Sequence, residues 1–324
     1  MVQIGTHSGS FHCDEALGCW MLKQLPRFKD AEIVRSRDPE VLKEADIVID
    51  VGAVYDEATL RFDHHQREFD GVLGHGFNTK LSSAGLVYKH FGREVVATIL
   101  GLPIDHADLE TIYLRVYKNF VEAVDAIDNG IQQYEAAGAP RYVSNTSLGS
   151  RVGQLNPNWN EEQTEAILYG CFLKAVELTG GEFKDAVEWV AKVWLPAKLH
   201  VKAALAGMAE VDPSCQIMRL NTVCPWKEHL YELEKEMELE KLVLFCLFED
   251  TREHKWRIQA VSESASSFKN RRNMPAAWCG LRDDKLSEVS GIPGCVFCHA
   301  NGFIGGNHSY EGVLEMARKS LTME

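Results

Sequence analysis

Short apolar runs alternate with helical stretches through the first half of the chain, and no other pattern in the sequence constrains the fold as much. "VQIG" leads into a helix over residues 14–25; "AEIV" and "ADIVIDVG" follow, then "LRFDHH" and a helix near "SAGLVYKHFG". This β-α-β rhythm predicts an α/β fold, a mostly parallel sheet covered by helices on both faces. Apolar residues at Leu109, Ile112, Val116, Phe120, Val124 and Ile127 then mark one amphipathic helix. Two further helices are expected over 161–178 and 183–208, and Pro196 should kink or split the second, because its ring blocks a helical hydrogen bond.

The pattern changes after "MAEVDPSCQ". "CQIMRL", "LVLFCLFED", "KWRIQAVS" and "GCVFCHANGF" read as strands, with an acidic helix from 226 to about 241 among them. A second, smaller α+β domain with a mixed or antiparallel sheet is expected. The boundary falls between about 185 and 212, giving a first domain over 1–190, a linker helix over 191–212 and a second domain over 213–324.

At 324 residues the chain is long enough for two such cores. No apolar run reaches bilayer length, so a soluble protein with no membrane partner is expected. The opening "MVQIGTHSGS" has no basic n-region and no Arg-rich amphipathic segment, so no secretory or transit peptide is expected in it. Nine cysteines, an odd number in apolar contexts such as Cys171, Cys246 and Cys295, read as reduced intracellular thiols. The formal charge of −13 argues against coating nucleic acid by charge alone. It leaves room for an enzyme with a local basic cleft, or one whose carboxylates are neutralised by metal.

The unusual polar residues fall at strand and helix ends. His7, His12 and Asp14 follow the first strand; Asp50 ends "ADIVID"; Asp63, His64 and His65 end "LRFDHH"; Asp125 and Asp128 close the amphipathic helix. In an open α/β sheet the carboxyl ends of neighbouring strands converge on one crevice. Clustered carboxylates cannot stand there unpaired, and divalent cations remove the repulsion. A mixed His/Asp set suits manganese, iron, cobalt or zinc better than calcium. The ligands suffice for two ions sharing one carboxylate, the arrangement used for phosphoester displacement. Asp128, four residues beyond Val124 on the apolar stripe, ranks ahead of Asp125. Taken singly, His7 would be a loop residue and "FDHH" a solvated turn; the ordered set is what points to metal.

That order resembles the DHH phosphoesterase superfamily. More closely, the chain is similar to the family named after the melanocyte proliferating gene product, also called metal-dependent protein hydrolase. The resemblance is carried by "GTHSGSFHCDEALGCWML", "DVGAVYD", "RFDHHQREF", "KLSSAGLVYKHFG", "YKNFVEAVDAIDNGI", "AAWCGLRDDKLSEVSGIPGC" and "HANGFIGGNHSYEGVLEMA". It implies a DHH-type catalytic domain with a five-stranded parallel sheet, a smaller substrate-binding domain of DHHA1 type, and a manganese or magnesium pair in the cleft between them. It further implies 3′-to-5′ exonuclease action on RNA, in the nucleus or nucleolus and mitochondria, with the cytoplasm left open. His7, His12 and Asp50 would then hold one ion, and Asp14, Asp50, His64 and Asp128 the other. Relatives show His-x3-Asp-x-Asp in the first motif; here His12 replaces a carboxylate, making the first site softer.

Within this reading His65 faces substrate and either stabilises charge or protonates the leaving oxygen, while Asp63 orients a neighbouring histidine. Gly305 and Gly306, with Asn307 and His308, precede a helix near Ser309 and resemble a glycine-rich phosphate cradle. Arg271 and Arg282 are candidate phosphate clamps, and Ser82 and Ser83 could contact substrate. A plain turn, surface arginines and a helix cap are the alternatives for these three groups. "CVFCH" spells a haem attachment site, but it sits in an apolar strand and is read as core. Two other functions stay open: hydrolysis of a small phosphoester (pyrophosphate, a cyclic dinucleotide or a very short oligonucleotide), and a non-catalytic, metal-stabilised binding module. Oligomeric state is left open.

Overall fold

The first strand, β1 (Gln3–Thr6), lies between β2 (Glu32–Arg35) and β3 (Ile47–Ile49) and runs parallel to both. Parallel neighbours need crossovers, supplied by helices α1 (Cys13–Lys23) and α2 (Pro39–Lys43). The computed structural model describes residues 1–134, 142–239 and 242–323. It forms two units, Met1–Ala191 and Lys192–Glu324. No helix among the described residues is long and apolar enough to cross a membrane.

In the first unit β4 (Tyr55–Asp56) and β5 (Arg61–Phe62) complete a five-stranded sheet of order β2-β1-β3-β5-β4. β5 is parallel to β3, but β4 pairs antiparallel with β5, so the all-parallel expectation fails at this edge. Four residues separate the two strands, which is a hairpin's length and far too short for a crossover. A separate hairpin, β6 (Val72–Gly74) and β7 (Phe77–Lys80), turns through His75 and Gly76, both at positive φ. That is the type I′ geometry that matches strand twist.

Helix α3 (Ser83–Leu100) starts at the Ser82 cap and stops at Gly101, whose φ of 65° few other residues adopt comfortably. The amphipathic helix expected over 109–127 is three pieces: α4 (Leu109–Val116), a π-turn (Tyr117–Val121) and α5 (Glu122–Asp128). The wide turn shifts the register. Val121 at its end and Val124 and Asp125 beyond it are buried, while Ile127, expected inside, is 59% exposed.

After α6 (Leu148–Gly153) comes α7 (Glu165–Trp189), which runs unbroken through the gap expected between 178 and 183. Gly180 does not interrupt it; a Cβ there would fall inside the Trp20 ring, so the glycine lets α1 approach. A second π-turn, Val190–Trp194, precedes α8 (Leu195–Ala206), placing the expected split just ahead of Pro196.

The second unit continues with α9 (Met208–Val211), β8 (Ile217–Arg219), α10 (Lys227–Glu236), β9 (Phe245–Glu249) and β10 (Trp256–Ala260). It ends with α11 (Asp283–Ser290), β11 (Cys295–Cys298), β12 (Ile304–Asn307) and α12 (Tyr310–Thr322). Its sheet, of order β11-β12-β10-β9-β8, is antiparallel except for the β8/β9 pair, and so is mixed. Val201, Leu205 and Met208 pack with Met218, Leu230, Leu233 and Cys246 on one face. Trp278, Leu286, Val313 and Met316 pack with Phe245, Leu247 and Ile258 on the other. From the span expected as a linker helix, Val201, Leu205 and Met208 thus pack into this unit's core. Helix α10 stops at Glu236; its expected end at Lys241 lies outside the described residues.

Candidate metal centre

Three parallel strands end side by side, and each is followed at once by a polar residue: His7 after β1, Asp50 after β3, and Asp63, His64 and His65 after β5. Helix α1 adds Asp14 and Glu15 in its first turn, with His12 as its N-cap, and α5 ends on Asp128. Asp50 has a φ of 57°, a left-handed conformation that a short polar side chain tolerates. Ser83 Oγ donates to Asp50 Oδ1 at 3.3 Å.

His7 Nε2 stands 3.0 Å from Glu15 Oε1 and 3.4 Å from Asp50 Oδ2. His64 Nε2 stands 3.0 Å from Asp128 Oδ2 and 3.6 Å from Asp50 Oδ1. Three groups present ligand atoms within 4.8 Å of one another: His7, His12, Glu15 and Asp50; Asp50, Asp63, His64 and His65; and Asp14, His64 and Asp128. Asp50 is shared by the first two, and His64 links the last two.

The electrostatics are those of a site that wants positive charge. Burial alone would lower His7, but its bonds to Asp50 and Glu15 prevail and raise it to about 10. Burial likewise opposes protonation of His64, and Asp128 and Asp50 carry it up to about 9. Burial would raise Asp50, yet His64 and His7 hold it well below the usual carboxylate range. Asp14 goes the other way: burial, then the charges of Asp50, Asp128 and Glu15, push it well above its ordinary value.

Asp14 also supplies the clearest test of whether a cation fits. It is fully buried, and neither carboxylate oxygen has a hydrogen-bond partner. His64 Nε2 is close to Asp128 but lacks the alignment of a hydrogen bond. Orphaned buried groups of this kind are costly, and a divalent cation bound by His and Asp ligands satisfies them together. The residues present fit such an ion.

Asp125 is not part of the cluster. Ser82 donates to its Oδ1 from both main-chain N (3.0 Å) and Oγ (2.8 Å), and the Tyr117 hydroxyl donates to Oδ2 at 2.8 Å. Burial pushes this carboxyl up to about 7. It ties the start of α3 to the π-turn. Ser82 and Ser83 are fully buried, so both hold carboxylates in place and neither reaches solvent. Asp63 is buried as well: Oδ2 accepts from Ala53 N at 2.6 Å, and Oδ1 lies 2.6 Å from His65 Nδ1. The His65 side chain is 60% exposed, so its position is fixed while its outer nitrogen faces solvent.

Three residues that the sequence reading did not assign complete the first unit's site. Glu15 accepts from His12 N in a capping box, a pattern visible in "HCDE". Asn129 presents Oδ1 3.3 Å from His64 Nδ1, which leaves Nε2 free to turn to the cluster, and donates to Lys80 O and Asp125 O. Asn156 clamps the main chain of Phe11 from both sides, its Oδ1 and Nδ2 each 3.0 Å away. Neither asparagine carries a local sequence signal. A cavity of about 530 Å³ opens beside the cluster, walled by Phe11, Phe120, Ile127 and Leu148 and by His65, Asp50 and Asp128.

The second unit departs further from expectation. Gly305 and Gly306 lie within β12, paired with β10 on one side and β11 on the other, so their N–H groups serve the sheet rather than a cradle. A Cβ at either would come within 2.9 Å of a neighbouring strand's carbonyl oxygen, which explains the glycines. Asn307 is buried and bonds Pro293 O and Ser309 N, while His308 is exposed. Ser309 caps α12 through Gly312 N. The Arg271 guanidinium is occupied: it forms a two-pronged pair with buried Glu234, at 2.7 and 2.8 Å, and donates to Val243 O. That is a structural ion pair, not an open phosphate clamp. Arg282 is exposed beside Asp283 and remains open to a ligand.

Comparison with known proteins agrees with the resemblance. The MYG1_exonuc family model, described as "Uncharacterised protein family (UPF0160)", matches residues 3–321. The chain is 48% identical to the MYG1 exonuclease of Homo sapiens, covering 98% of this chain and 85% of that protein. It is 49% identical to a MYG1 protein of Caenorhabditis elegans (98% and 94% covered) and 49% identical to one of Schizosaccharomyces pombe (99% and 98%). Among solved structures, RecJ in complex with Mn2+ from Thermus thermophilus is 14% identical, with a TM-score of 0.26 over 99% of this chain and 52% of that one, too low to carry an argument.

Proposed function

The chain belongs to the MYG1 exonuclease family, and we propose on that premise that it is a metal-dependent phosphodiesterase that removes nucleotides from the 3′ end of RNA. The observation that carries this reading is Asp14, a fully buried carboxylate without a donor, grouped with His64 and Asp128. His7, His12 and Asp50 would hold one divalent ion, and Asp14, Asp50, His64 and Asp128 a second, with Asp50 common to both. Manganese or magnesium bound there would supply Lewis-acid charge at the phosphoryl oxygens and an activated water.

The chain's own residues do the rest. Glu15 and Ser83 keep His7 and Asp50 in place, and Asn129 orients His64. Asp63 fixes His65 through Nδ1, so that its opposite ring nitrogen can deliver a proton to the departing oxygen. An imidazole suits that task near neutral pH.

The test is a 5′-labelled RNA incubated with manganese, magnesium or EDTA. Stepwise shortening of the labelled strand that needs metal and is abolished by Asp50→Asn is expected. Release of the label as a mononucleotide would overturn the direction, and an unaffected Asp50→Asn protein would overturn the site. A second reading, hydrolysis of very short oligonucleotides or small phosphoesters, is favoured by the net charge of −13, since long RNA needs a basic path. Rates that fall beyond a few nucleotides would select it.

A further inference from the structure

The cavity beside the cluster is more apolar than phosphoester chemistry requires. Its charged side is the cluster itself, with Asp50, His65 and Asp128; facing them are Phe11, Phe120, Ile127 and Leu148. Charged ligands and ions suffice to hold a phosphate. An apolar wall within the same cavity serves whatever the phosphate is attached to. Ile127, on this wall, is 59% exposed and so is open to a ligand in the cavity.

Phe120 is presented by the π-turn Tyr117–Val121, with its ring edge-on to Phe183 at 5.7 Å, and Asn119 beside it brings an exposed amide to the rim. The same cavity is lined by α6, which carries two glycines that the fold does not call for. A Cβ at Gly153 would meet nothing within 4 Å, and one at Gly149 only Ile127 Cγ2 at 3.7 Å. Neither has positive φ. Glycine lowers helix propensity relative to alanine, so these two weaken α6 without a packing or backbone reason, and both line the cavity. Their effect is a stretch of cavity lining, next to Leu148, where the backbone carries no side chain.

A planar group with polar edges, attached to a phosphate, matches that space. We propose that the cavity is a nucleobase slot: the base of the terminal nucleotide lies between Phe120 and the glycine wall of α6, with Asn119 at its edge. Its volume of about 530 Å³ is that of a pocket for one small ligand. A base in it is unstacked and unpaired, so the slot selects single-stranded ends. This inference rests on the phosphodiesterase reading and adds to it what the enzyme grips.

The test compares a dinucleotide with its analogue lacking the terminal base, in the presence of manganese. The parent should favour the base-bearing substrate by about tenfold or more in kcat/KM, as loss of one stacked base implies. Phe120→Leu and Gly153→Ala should each shrink that preference severalfold, Phe120→Tyr should keep it, and Gly153→Ala should not lower the thermal midpoint. Equal rates on both substrates by the parent, or an intact preference in Gly153→Ala, would overturn the slot. If the parent cleaves neither substrate, the phosphodiesterase reading falls, and calorimetry with adenosine monophosphate against ribose 5-phosphate decides the slot. Tighter binding of the nucleotide that Phe120→Leu weakens supports it; equal binding of the two overturns it.

Discussion

Asp14→Asn removes a charge from the middle of the ligand cluster while keeping the side chain's shape. Without metal that charge is costly: the carboxylate is fully buried, neither oxygen makes a well-formed hydrogen bond, and Asp50, Asp128 and Glu15 repel it. Burial, the largest cause, and this repulsion raise its pKa well above 3.8. Above that pH the unfolded chain has released the Asp14 proton while the folded chain still holds it, so stability falls as pH rises until the native carboxyl ionises. Across this window the parent should lose about 1.4 kcal/mol per pH unit relative to the variant, which has no proton there to hold. His7 and His64 titrate in both proteins and largely cancel in the difference. With a cation at a hundred times its Kd the parent gains about 2.7 kcal/mol, and the variant, short of one anionic ligand, gains less. Urea unfolding of both proteins between about pH 5 and pH 8, with EDTA and with manganese, measures each part. A gap that stays constant with pH, or a variant less stable than the parent in EDTA at the alkaline end, would refute the reasoning.

Asp63→Asn frees the His65 ring and should lower kcat about 10- to 100-fold at unchanged metal content; elemental analysis beside steady-state rates checks this, and lost metal would make Asp63 a ligand. Arg271→Met strands the buried Glu234 carboxylate and should destabilise the protein by about 3–5 kcal/mol, with most of the loss restored by adding Glu234→Leu, read as urea midpoints. Asn156→Ala deletes both bonds to the Phe11 main chain, a loss of about 1–3 kcal/mol in thermal unfolding. It should also lower kcat/KM, because His12 follows directly on the released segment; unchanged kinetics would separate the clamp from the site.

The convergence of His7, Asp50 and the 63–65 triplet was legible because it needs only the end of each apolar run and the rule that parallel strands finish on one edge. The choice between Asp125 and Asp128 followed a stripe that the π-turn interrupts. Asp128 reaches His64, but Asp125, off the extrapolated stripe, is the more buried of the two. No residue in "YKNFV" announces a wide turn. Gly305 and Gly306 looked like a loop because glycine usually marks one, whereas here close strand approach explains them. Arg271 and its partner Glu234 lie 37 positions apart, so nothing local could show that the guanidinium was already engaged. The break expected between 178 and 183 is absent, and the residue that calls for Gly180 there, Trp20, belongs to a distant part of the chain.

The π-turn has a further consequence for how this chain can vary. A regular helix carries one angular period from end to end, so a change of face at its start propagates to its finish. The extra residue in Tyr117–Val121 breaks that link. Residues of α4 that pack inside can drift in size and shape without turning the carboxylates of α5 away from His64 and Ser82, and the carboxylate end can be adjusted without repacking the interior. Deleting exposed Lys118 would rejoin the two periods and rotate Asp125 and Asp128 together by about one residue's angle, roughly 100°, which would dismantle the cluster without touching any of its members.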